Sequence, residues 1–154
     1  AHDMEDNFKL YISTDPQADP ARTVYGTNDF LLYLMMDSQN WYTAFDRSMV
    51  ERDVMGRFTS AGMESNEQVL EGYEAAYTTT EDGFILEAVI TWANLTNEYN
   101  EAYLPQAGDT VNFDLCITDN DYPYPNTQDS VQLSWSGNEQ SDKDPSLWGR
   151  ITYE

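Results

Sequence analysis

The sequence is poor in the residues that most chemistry needs. It holds one cysteine, Cys116, and one histidine, His2. A single thiol excludes an internal disulfide. One histidine near a fraying terminus leaves no Ser-His-Asp or Cys-His nucleophile. Zinc sites take several Cys or His and cannot be assembled. Basic residues are scarce as well: 7 Lys and Arg stand against 28 Asp and Glu, a formal net charge of −21. Such a surface repels phosphate backbones and anionic bilayers, which argues against nucleic-acid partners and membrane-surface binding. No apolar run approaches the roughly 20 residues of a membrane helix. The first residues, "AHDMEDNF", have neither a basic start nor an apolar middle. No secretory leader is read there, which leaves a cytoplasmic chain or a processed, exported one. No Walker loop, dinucleotide fingerprint or G-x-S-x-G elbow occurs. Carboxylate pairs that could cleave glycosides carry no weight where acids are this abundant. The chain reads as a non-enzyme.

What is present is alternation. In "FKLYIST", Phe8, Leu10 and Ile12 alternate with Lys9, Tyr11 and Ser13. In "VNFDLCIT", Val111, Phe113, Leu115 and Ile117 alternate with Asn112, Asp114, Cys116 and Thr118. "VQLSW" repeats the pattern with Val131, Leu133 and Trp135. Period two predicts strands with one buried face and one facing water or a ligand. "FLLYLMM" (30–36) is apolar on both faces and predicts a central strand. "YEAAYTTTEDGFILEAVIT" predicts a hairpin turning at Glu81-Asp82-Gly83, with a short helical turn following Trp92. Long polar segments separate the strands at 15–28, 37–48, 60–67, 96–110, 119–129 and 136–146. With 154 residues, the expectation is one domain over 1–154, all-β. Its form is an antiparallel, jelly-roll-like β-sandwich with long polar loops, and any function sits on loops or on an open sheet face. Trp92, Trp135 and Trp148 fall in strand-like contexts and are expected in the core.

Two loop features point to ligands. "TDNDYPYPNTQDS" gathers Asp119, Asp121 and Asp129 with Asn120 and Asn126, oxygen ligands of the kind a structural calcium ion takes. The loop lacks the EF-hand order and its glycine, and in so acidic a chain a solvated turn is the commoner reading of such a stretch. Trp41 and Tyr42 in "SQNWYTAF", with Tyr122 and Tyr124 in "DYPYP", put rings among polar residues. Rings so placed can stack on sugar C–H faces while amides and carboxylates bond the hydroxyls. The alternative is rings folded over the sandwich edge. Met35 and Met36 are possible haem ligands of a DOMON-like domain, although methionine fills core gaps far more often. The triplet Asn94-Leu95-Thr96 matches a glycosylation signal, with no function attached to it.

Four segments together resemble family 9 carbohydrate-binding modules. "DGFILEAVITWANL" (82–95) resembles the family's glycine-aromatic-x-x-E-A-x-I-x-W segment. "VNFDLCITDND" (111–121) looks like its next strand. "VQLSWSG" (131–137) with "DPSLWGRITY" (144–153) looks like its closing strands, and "DNFKLYIS" (6–13) like an earlier one. The resemblance implies a β-sandwich with a structural calcium tendency, extracellular or at the cell surface, that binds glycans without catalysis. The tryptophan pair that clamps sugar in such modules has no counterpart in "AHDME" or "NEQSDK". A sandwich that has lost sugar binding and packs against other subunits of a surface assembly is therefore the alternative. Family members carry strands before "DNFKLYIS". This implies either that 1–154 is a fragment of a longer protein or that a strand from another segment completes the sheet near residues 8–14.

Overall fold

The computed structural model describes residues 7–35, 54–59, 62–63, 68–69, 74–97, 99, 101–120, 130–138, 140–141 and 143–154. The described elements are strands and single turns of 3₁₀ helix. They are β1 (Asn7–Ser13), β2 (Asp29–Met35), β3 (Val54–Thr59), β4 (Gly62–Met63), β5 (Gln68–Val69), β6 (Glu74–Thr80), β7 (Gly83–Val89), β8 (Thr110–Asn120), β9 (Ser130–Ser134) and β10 (Gly149–Thr152). One large sheet runs β10-β8-β1-β2-β3-β4, with β5 paired to β3 and β9 paired to β8. A two-stranded sheet, β6-β7, forms the second layer. Every strand pair is antiparallel, so the fold is the all-β antiparallel sandwich expected from the alternation.

The core between the layers follows from period two. Phe8, Leu10 and Ile12 stand opposite Ile117, Leu115 and Phe113 across the β1–β8 pair. Ile12, Phe30, Leu32 and Leu95 form one buried apolar cluster, onto which Phe8, Leu10 and Phe113 pack from the same sheet and Leu86, Ile90 and Trp92 from β7 and the turn after it. Phe30 and Leu32 are fully buried, each contributing about 1.5–3 kcal/mol by transfer from water. The β6–β7 hairpin closes with a two-residue turn at Glu81-Asp82, Thr80 facing Gly83. The 3₁₀ turn after it spans Trp92–Asn94.

Three expectations fail here. First, β1 has no vacant neighbour: Asn7–Ser13 pairs with β2 on one side, and Asn7–Ile12 pairs with β8 on the other. Over residues 8–12 both neighbouring positions are filled from within the chain. Second, the polar face of β1 and β8 does not meet water. Lys9, Tyr11, Ser13, Asn112, Asp114, Cys116 and Thr118 are all buried. The segments 14–28 and 136–148 cover that face, with Trp148 packed on Tyr11 and Tyr25 at 5.4 and 5.6 Å between ring centroids. Third, Trp135 is not in the core. It is 57 % exposed, and Val131 and Leu133 beside it are 56 % and 68 % exposed. Among the described residues the second layer is the two strands β6 and β7.

Polar anchors hold the covering segments. Arg22 donates to both carboxylate oxygens of buried Asp29 and to Asn112 Oδ1 at 3.0 Å. The Gly26 N–H donates to Asp29 Oδ2 at 2.8 Å. Asp114 accepts from the N–H and hydroxyl of Ser136 and from the Ser141 hydroxyl. The Ser141 carbonyl in turn accepts from the Tyr25 hydroxyl and from Trp148 Nε1. A buried carboxylate persists only where donors replace its water, and here they do.

Candidate functional site

The register of the large sheet fixes which connections share an end. Asn7, the start of β1, stands opposite Met35 at the end of β2 and opposite Thr118 near the end of β8. Val54, the start of β3, faces Tyr33. Ser130, the start of β9, faces Asn120. The strand ends that bracket 36–53 and 121–129 therefore lie at one end of the sheet. The strands from which these two connections depart, β2 and β8, flank β1 and lie about 10 Å apart. Trp41 and Tyr42 belong to the first connection; Tyr122, Tyr124, Asp121 and Asp129 belong to the second. All six lie outside the described residues.

Asp119 is the one candidate ligand that is described. It is exposed on β8, opposite Val131 of β9. Among the described residues no group of three or more His, Cys, Asp or Glu is placed to hold a metal ion. The carboxylates of the calcium expectation are not assembled by described residues. Beside Asp119, Thr118 is buried at 1 % exposure, and its Oγ1 has no hydrogen-bond partner among the described residues. A buried hydroxyl left unpaired costs about 1–3 kcal/mol unless something polar reaches it.

Along β9 the same face carries an apolar stripe that sequence reasoning assigned to the core. Trp135 packs edge-on to Phe113 at 5.8 Å and 74°. Its six-membered ring covers Gly149, where a Cβ would come within 2.7 Å of Cζ3. The glycine makes room for the indole, and the remaining ring surface is open to solvent.

A second aromatic group, also missed from sequence, lies at the opposite end, where β8 begins. Trp92 meets Tyr103 and Tyr153 edge-on, both at 5.8 Å. The Tyr103 hydroxyl donates to Asp109 Oδ2 at 2.9 Å. Burial, then the hydrogen bond and charge of Asp109, push the Tyr103 phenol above its ordinary range. Burial, then the Asp109 charge, raises Tyr153 as well. The Tyr153 hydroxyl is buried with no partner among the described residues. These rings come from three separate segments, so no spacing along the chain marks them. Raised phenols stay protonated and neutral near pH 7, which suits packing and hydrogen-bond donation rather than base chemistry.

Comparison with curated proteins yields no match. Among solved structures, the chain is similar to a family 9 carbohydrate-binding module from Caldicellulosiruptor kristjanssonii in complex with glucose. The TM-score is 0.56 at 13 % identity, over 100 % of this chain and 61 % of that one. A second structure from the same organism, in complex with cellotriose, gives 0.57 at 12 % identity, over 100 % and 60 %. The chain thus spans about three fifths of the length of these solved relatives. At such identity the likeness carries the fold alone. Residues 4–154 match the family model described as carbohydrate family 9 binding domain-like. The chain therefore belongs to the carbohydrate family 9 binding domain-like family.

Proposed function

We propose that the chain is a non-catalytic carbohydrate-binding module of a secreted or cell-surface protein. Its ligand would sit at the sheet end where β1 begins, held by Trp41, Tyr42, Tyr122 and Tyr124. The observation that carries this reading is the register: two ring-bearing connections, distant in sequence, leave the sheet on either side of one strand. Rings from both can then address one sugar chain, stacking on its C–H faces while nearby polar groups bond its hydroxyls. The reading includes a structural calcium ion at Asp119, Asp121 and Asp129, since carboxylates this close along the chain are the hard oxygen donors that calcium takes.

The test is binding to a panel of soluble and insoluble glycans by affinity electrophoresis and calorimetry. The expectation is binding to at least one glycan. Tyr122→Ala with Tyr124→Ala should weaken it by roughly tenfold for each ring, about 1–1.5 kcal/mol apiece. Absence of binding across the panel ends the reading. The alternative, a sandwich that packs against partner subunits instead of sugar, is favoured by the exposed Val131, Leu133 and Trp135. It predicts no glycan affinity and a mass above one chain in light scattering.

A further inference from the structure

We propose that β9 pairs with β9 of a second copy of this chain, antiparallel, about a two-fold axis through Gln132. The phase of the hydrogen bonds supplies the geometry. Leu133 faces Ile117, Ser134 faces Cys116, and the Trp135 N–H donates to the Leu115 carbonyl at 2.8 Å. In an antiparallel ladder the groups turned toward one neighbour alternate along the strand. Val131, Leu133 and Trp135 therefore turn their N–H and C=O groups to β8, and Ser130, Gln132 and Ser134 turn theirs outward. The Ser134 carbonyl is already taken by the Gly137 N–H at 3.1 Å. Among the described residues nothing takes the N–H and C=O of Gln132, the N–H of Ser134 or the C=O of Ser130, and these face outward toward a partner. A two-fold axis through Gln132 sets Ser134 against Ser130 of the second copy. Four bonds form without disturbing the turn: two between the glutamines, and one from each Ser134 N–H to the opposite Ser130 carbonyl. The same operation sets Val131 against Leu133 of the other copy, two apolar cross-strand pairs on one face.

Charge says why this edge, rather than another, meets its own copy. The stretch "SVQLSWSGN" (130–138) has no charged residue in a chain of net charge −21. Edge strands are commonly protected by charges. The second layer has them, with Glu74 and Glu87 exposed on its outer face. β10 carries exposed Arg150. β9 carries none, and its stripe is apolar. An isologous contact here brings an uncharged strand to an uncharged strand, with Asp119 of β8 the nearest described carboxylate on that face. One five-residue strand falls below the roughly 1,200 Å² of stable complexes, so the dimer is weak and concentration-dependent. Repulsion between the two acidic bodies is long-range, so screening by salt strengthens the association. The antiparallel operation also sends the two β1-start ends to opposite ends of the pair.

Sedimentation equilibrium on the 154-residue chain tests this, from about 10 μM to 1 mM protein at low and about 1 M sodium chloride. The expected result is a mass rising from one chain toward two, further at high salt. Leu133→Lys or Val131→Lys, both at exposed positions, should weaken the association at least tenfold. Val89→Lys, exposed on the second layer, should leave it unchanged. A monomer under all conditions overturns the proposal. So does undiminished dimerisation of both β9 variants, or an equal loss on Val89→Lys.

Discussion

Replacing Asp114 with alanine should cost about 3 kcal/mol of folding stability. The carboxylate is fully buried. It accepts from Ser136 N at 3.0 Å, Ser136 Oγ at 2.7 Å, Ser141 Oγ at 2.5 Å and its neighbour Leu115 N at 3.0 Å. Hydrogen bonds to a charged group are worth about 1.5–3 kcal/mol each, and a stranded buried donor costs about 1–3. Ser136 is exposed, so water can satisfy its donors after the change. Ser141, at 2 % exposure, is out of reach of water except by local opening. One fully lost charged bond plus a partial loss at the others gives the 3 kcal/mol figure. At about 2–4 °C per kcal/mol for a chain of this size, the midpoint should fall by about 6–12 °C. Urea unfolding followed by tryptophan fluorescence measures it, because Trp148 is bonded to the Ser141 carbonyl and reports the released segment. Asp114→Asn keeps one acceptor oxygen and should lose about half as much. The cycle with Ser141→Ala should show coupling of about 1 kcal/mol or more. A loss under about 0.5 kcal/mol for Asp114→Ala, or strict additivity in the cycle, would refute the idea that this carboxylate holds the segment.

Other outcomes can be checked separately. Because the Tyr103 phenol is raised in the folded state, the unfolded chain releases that proton first, from about pH 10 upward, while the folded chain keeps it. The stability this provides is complete below that pH and is lost as pH climbs toward the folded value. Tyr103→Phe should flatten the alkaline limb of a melting-temperature profile; an unchanged limb would exclude Tyr103 as its source. Gly149→Ala should cost about 1–3 kcal/mol by driving a methyl into the Trp135 ring. Most of the loss should return in the double variant with Trp135→Ala, read by chemical denaturation. Removing calcium with a chelator should lower the midpoint if Asp119, Asp121 and Asp129 hold the ion, and Asp119→Asn should shrink that shift.

The strands were legible because alternation and turn chemistry are local. Asp82-Gly83 marked the hairpin, and the apolar run at Phe30–Met36 marked the central strand. What covers a strand face is not local. Lys9, Ser13, Asn112 and Asp114 read as solvent-facing, yet segments 14–28 and 136–148 lie over them. Neither segment has a period to announce it. Trp135 failed the other way: its alternation with Leu133 is real, but burial depends on how far the second layer extends. The candidate site was legible only as composition. Of its seven residues Asp119 alone is described, and its neighbour Thr118, whose buried hydroxyl has no partner among the described residues, carried no sequence signal at all.

One edge of β8 accepts two strands in tandem, β10 along Thr110–Phe113 and β9 along Cys116–Asn120. The chain leaves this edge at Trp135 and comes back at Gly149, where the indole touches the returning backbone. Exit and re-entry are thus a few ångströms apart, with both strands already seated. The detour between them is the covering segment pinned at Ser136, Ser141 and Trp148. Extra sequence is tolerated there only at its exposed positions, such as Gly137 or Lys143, where the pinned residues and both strands keep their partners.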